Sequence, residues 1–149
     1  MTIALGLTIE LDLPVTTAES RVREALAAEG FGVLTEIDLR STFKAKLGHD
    51  FPPYRILGAC NPGLAFRALN AEPRVGLLLP CNVTIEGRAD GKTRVGLVEP
   101  LALLGADALS GHPVVAEVAR EASGKLERVV RRLTEASATP SPTTRPVPS

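Results

Sequence analysis

The sequence predicts an α+β fold, a single-domain α/β sandwich in which helices pack on one mixed sheet. Three observations predict it. Segments that alternate apolar and polar residues recur between segments whose apolar residues lie three and four apart. The order of these segments is β-α-β-α-β-α-β-β-α. The chain's 149 residues, 44% hydrophobic and 23% charged, suit one domain that holds a core without disulfides or structural metal.

Residues 3–11 alternate and are rich in Ile, Leu and Thr, which marks a first strand. Pro14 opens a helix in which Thr16 and Glu19 have capping-box spacing, and Gly30 stands where a glycine ends it. Residues 32–39 alternate again as a second strand. Ser41 caps a short helix over 42–47 that Gly48 stops. The apolar run 54–59 reads as a buried strand. Asn61 then serves as N-cap with Pro62 at the first helical position, and that helix ends before Pro73. Residues 75–79 and 83–86 read as one strand broken or bulged at Pro80. A hairpin turn at 89–92 returns the chain antiparallel over 93–98. Residues 101–104 suit a helical turn.

A long helix over 113–135 carries the stripe Val115, Val118, Ala122, Leu126, Val129 and Leu133. Lys125, Arg128, Arg131 and Arg132 gather near its end, where the macrodipole favours cations and solvent is the expected neighbour. From residue 137 the chain is rich in Pro, Ser and Thr with no apolar periodicity. The expected organisation is therefore a domain over 1–136 and a disordered tail over 137–149.

Composition excludes several roles. Lys+Arg and Asp+Glu both total 17, so the net charge is zero, and phosphate neutralisation cannot drive binding; no nucleic-acid partner is expected. No run approaches the roughly 20 apolar residues that span a bilayer, so no membrane association is expected. The first residues lack the basic region of a secretory signal, and the expected location is the cytoplasm. Nucleotide-binding glycine motifs, HExxH and GxSxG are missing, which disfavours classical nucleotide binding, zinc peptidases and α/β-hydrolase chemistry and leaves any cofactor unknown.

Three features remain for chemistry. Cys60 ends a strand just before the helix opened by Pro62, where free N–H groups favour a thiolate. It is the candidate catalytic residue, with His49 beside Asp50 as candidate base because histidine titrates near neutrality. Cys81 follows the Pro80 kink, and across neighbouring strands Cys60 and Cys81 would make a redox pair or a soft-metal clamp. Cys60, Asn61, Cys81, Asn82 and Tyr54 are the candidate ligand-binding residues, and Cys60 and Cys81 the candidate metal ligands. Each also has a plainer reading: small buried residues ending strands for the cysteines, and an exposed side chain in a Gly-Pro loop for His49.

Residues 54–62 (YRILGACNP), with Ala65 and Leu69 after them and then LPCNV at 79–83, resemble the bacterial and archaeal family called domain of unknown function 302. FKAKLG at 43–48 is similar to that family's short helix, and the resemblance spans roughly residues 7–133. It implies a compact α/β domain that forms homodimers and whose activity is unknown. It brings no proven catalytic residues, but it draws attention to Cys60, Asn61, Pro62, Pro80 and Cys81. Two functional readings follow from residues and resemblance together. One is a dimeric domain that binds a small molecule or soft metal in a Cys60/Cys81 cleft. The alternative is a thiol-dependent enzyme or redox carrier using Cys60.

Overall fold

The computed structural model describes residues 4–105 and 111–138. Its strands are β1 (Gly6–Leu11), β2 (Gly32–Asp38), β3 (Tyr54–Cys60), β4 (Cys81–Gly87) and β5 (Thr93–Val98). Its helices are α1 (Val15–Ala28), α2 (Leu39–Leu47), α3 (Pro62–Ala71), α4 (Pro100–Leu104) and α5 (Pro113–Ala138), with a 3-10 helix at Pro73–Leu78. The strands form one sheet in the order β1-β5-β4-β3-β2.

Every neighbouring pair in that sheet is antiparallel, where a mixed sheet was expected. Helices between strands suggest parallel crossovers, but α2 and α3 only turn the chain at the ends of adjacent strands. α1 alone carries it from one edge of the sheet to the other. β1 and β2 therefore run the same way without touching.

Alternation then decides what each face does. Leu97, Val83 and Leu57 lie side by side across β5, β4 and β3 and are almost wholly buried. α1 covers this face with Ala18, Val22, Ala25 and Leu26, and α5 with Leu126, Val129 and Leu133. A second core lies between α3, α4, the 3-10 helix and the first half of α5, around Leu64, Val75, Leu104 and Val118. At about 1.5 Å per residue, the 26 residues of α5 reach about 39 Å, long enough to serve both cores.

Several local expectations change. α1 has Pro14 at its N-cap with no side-chain cap, so Thr16 belongs to the first turn. Asp38, not Ser41, caps α2: its carboxylate accepts from the Ser41 N–H at 3.0 Å. Residues 75–79 are not strand. Glu72 caps the 3-10 helix with Pro73 at its first position, and Val75 is buried in the helical core. The strand begins only at Cys81, after a cis Leu79–Pro80 bond. α5 continues to Ala138, past the expected start of the tail, and residues 139–149 lie outside the described residues.

Candidate functional site

The conspicuous sequence motif sits where β3 meets α3. Asn61 has extended backbone and its Oδ1 accepts from the Leu64 N–H at 3.2 Å, which makes it the N-cap of α3. Its Nδ2 donates to the Glu29 carbonyl at 3.4 Å and ties α3 to the end of α1. Gly30, at φ 84°, leaves room for that amide: a Cβ there would lie 3.0 Å from Asn61 Nδ2. Gly58 is also forced. A Cβ on it would fall inside contact distance of Thr35 Oγ1 and 2.6 Å from Pro80 Cγ, so the cis proline packs directly on the β3 backbone.

Cys81 lies opposite Ala59 and Cys60 opposite Gly32. The two cysteines thus hold adjacent register positions rather than opposing ones. Both line a cavity of about 30 Å³, whose walls include Phe31, Leu64, Leu79 and Val118. That is roughly the share of one water molecule in the liquid. Burial pushes the Cys60 thiol up. It pushes Cys81 further, to about 11, with the charge of Cys60 as a smaller contribution. This reverses the expected thiolate. The helix N-terminus that would favour one already gives its Leu64 N–H to Asn61, and the rest of the cavity wall is apolar.

His49 is exposed in the turn after α2, before the start of β3, while Cys60 ends that strand. Six strand steps of about 3.3 Å put Cys60 about 20 Å from Tyr54, so the candidate base and the candidate nucleophile occupy opposite ends of the sheet. The His49 end is instead an aromatic corner, where Phe43 meets Phe51 edge-on at 4.9 Å and Phe51 tilts toward Tyr54 at 6.3 Å. No group of three or more His, Cys, Asp or Glu fit to hold a metal occurs among the described residues.

The basic end of α5 is not simply solvated. Arg128 and Arg132 donate to the buried Glu29 carboxylate at 2.7 and 3.0 Å. Hydrogen bonding from Arg128 is the main reason the Glu29 carboxyl titrates below its ordinary value. The acidic residues of β2, Glu36 and Asp38, are also occupied. Glu36 takes Arg23 and Arg55 at 2.7 and 2.9 Å, and Asp38 caps α2.

The face of the sheet away from α1 and α5 offers more room. One row across it reads Thr8, Gly96, Thr84, Ile56 and Ile37 from β1 to β2. The next row toward the Tyr54 end reads Glu10, Arg94, Glu86 and Tyr54. On the other side lie Val98 opposite Gly6, and Asn82 opposite Gly58. Over β1, β5 and β4 these side chains are exposed or half-buried. They line an open trough of about 410 Å³ that includes Thr8, Tyr54, Asn82, Thr84, Gly96 and Val98.

The expected ligand set therefore divides. Cys60, Asn61 and Cys81 border the small cavity, while Tyr54 and Asn82 border the trough. Thr8, Thr84, Gly96 and Val98 were not among the candidates. The β4–β5 hairpin sets Thr84 beside Gly96, but only the pairing of β1 with β5 brings Thr8 to them, and a single sequence carries no signal of that register.

The family model described as "Domain of unknown function DUF302" matches residues 7–133. The crystal structure of an uncharacterised conserved DUF302 protein from Bacillus stearothermophilus is 30% identical to this chain. It superposes with a TM-score of 0.77 over 88% of this chain and 99% of that one. No curated protein matches the chain.

Proposed function

The chain belongs to the DUF302 family of domains of unknown function, and from that premise we propose that it is a small-ligand-binding domain, a cytoplasmic homodimer, whose working surface is the open face of its sheet. The observation that carries this reading is the trough of about 410 Å³. It falls within the roughly 300–1,000 Å³ of small-molecule sites, whereas the cavity at Cys60 and Cys81 has about 30 Å³. A cleft at the cysteines would hold an ion at most. Two thiols in adjacent register positions, with no third ligand among the described residues, give a soft metal little purchase. The alternative of a thiol enzyme asks for a thiolate near neutral pH, and burial moves both thiols the other way.

The homodimer draws support from a contrast between the sheet's two edges. β2 carries a bulge between Val33 and Thr35, a device that discourages edge pairing. β1 pairs with β5 in unbroken register; Leu7 on it is 46% exposed and Leu5 just before it 81%, though β2 also leaves Leu34 67% exposed. Pairing β1 with its counterpart in a second copy would continue the sheet and set two troughs side by side.

The test is amide-shift mapping by NMR with a mixed panel of small neutral and charged compounds. Shifts are expected at Thr8, Asn82, Thr84, Gly96 and Val98. Clustering around Phe31, Cys60 and Leu79 would move the site to the cysteine cavity, and no binding at all would end the ligand reading. Sedimentation of the wild type and of Leu7→Lys checks the assembly: a dimer that the variant weakens is expected, and a monomeric wild type overturns it.

A further inference from the structure

The charge pattern of the open face selects among ligand classes, and this inference rests on the reading of that face as a binding surface. None of the described residues lining the trough carries a formal charge; they are Thr, Asn, Tyr, Gly, Leu and Val. The nearest charged row satisfies itself. Arg94 lies 3.5 Å from Glu10 and 3.6 Å from Glu86, and Arg88 lies 3.4 Å from Glu10. Two carboxylates and two guanidinium groups thus balance one another at the Tyr54 end, and among the described residues no unmatched cation faces the trough.

From this we infer that the trough takes an uncharged, mainly apolar small molecule bearing hydroxyl, carbonyl or amide groups. An anionic ligand such as a phosphate ester or carboxylate would give up water for a site with no cation to receive it, a cost the site does not offset. A cationic ligand would likewise meet no free carboxylate. Apolar contact comes from Leu5 and Val98 at one end, and hydrogen bonds come from the hydroxyls of Thr8, Thr84 and Tyr54 and the amide of Asn82. An apolar wall with a few placed polar groups is how small-molecule sites fix orientation.

Two fluorescent probes separate the possibilities. Nile red is uncharged, and anilinonaphthalene sulfonate is an anion of similar apolar character. Titration of the full chain should give saturable Nile red binding at least tenfold tighter than binding of the sulfonate. Asn82→Asp, Asn82→Lys and Thr8→Glu, all at exposed positions and checked for folding by circular dichroism, should each weaken Nile red binding at least tenfold. Sulfonate binding as tight as Nile red, strengthened by Asn82→Lys and weakened by Asn82→Asp, would overturn the uncharged class while leaving the open face as the site. Binding of neither probe, or binding that none of the three variants moves, would overturn the site together with the class.

Discussion

The cavity behind Cys60 and Cys81 and the trough on the open face sit on opposite sides of one sheet, and they differ in how strongly the sequence marks them and in how much room they hold. The cavity is bordered by the most distinctive residues in the chain, yet those residues act on one another. Asn61 caps α3 and holds the end of α1, and Cys81 fills core space. The trough is bordered, beside Tyr54 and Asn82, by threonines, glycines, leucines and valine that no motif marks, and it has the greater room. A distinctive run of residues can mark a demanding fold junction as readily as a reactive centre. Working surfaces on sheets come from register.

The sharpest way to break this contrast is to cut the two faces at neighbouring positions of β3. Leu57→Ala, on the covered face and fully buried, is expected to cost about 2–5 kcal/mol in urea unfolding. Ile56→Ala, half-buried on the other face, is expected to cost about 1 kcal/mol. Similar losses would mean that the open face is packed as tightly as the covered one, leaving no surface to bind with.

A second test addresses the thiols. Alkylation followed by mass spectrometry across pH should find Cys81 silent until denaturant is added. Cys60 should label more slowly at neutral pH than a free cysteine, whose pKa is about 8.5. Fast labelling of native Cys60 near pH 7 would restore the thiol reading.

The smallest effect lies beside the second core. Glu72 caps the 3-10 helix and pairs with Arg74 at 2.9 Å. Hydrogen bonds from the Arg74 side chain and backbone hold its carboxyl down from 4.5 to about 2. A carboxyl lowered by folding stabilises the native state above its unfolded pKa, and that contribution fades as pH falls through the folded value. Melting temperature should therefore decline between about pH 4.5 and 2, less steeply in Glu72→Gln. Equal slopes for the two proteins would mean that the pair adds nothing to folding.

Much of the architecture was legible because local chemistry dictates it. Asn61-Pro62 begins a helix as its residue types require, Gly30 ends one, and the stripe on α5 faces the core as its spacing demands. The failures arose where a distant partner decided. Residues 75–79 look like a strand by hydrophobicity, but Glu72 and Pro73 start a helix there and Val75 finds a helical core. The mixed sheet was inferred from element order, which does not say which strands become neighbours. Tyr54 and Asn82 stood out by residue type and do border the trough, whereas Thr8 joins Thr84 and Gly96 only through two strand pairings, β1 with β5 and β5 with β4.

The pairing of β1 also bears on how the molecule assembles in time. Among the described residues the only strand beside β1 is β5, with Gly6 against Val98 and Leu11 against Thr93, so it waits for most of the domain before it has a place to dock. Long loops are slower to close than short ones, and β4 and β5 are joined by a short hairpin. The strands from β2 to β5, each beside its sequence neighbour, form a natural nucleus, and β1 joins late. One wall of the trough is therefore expected to form last in the sheet, and native-state hydrogen exchange should find it among the first to open.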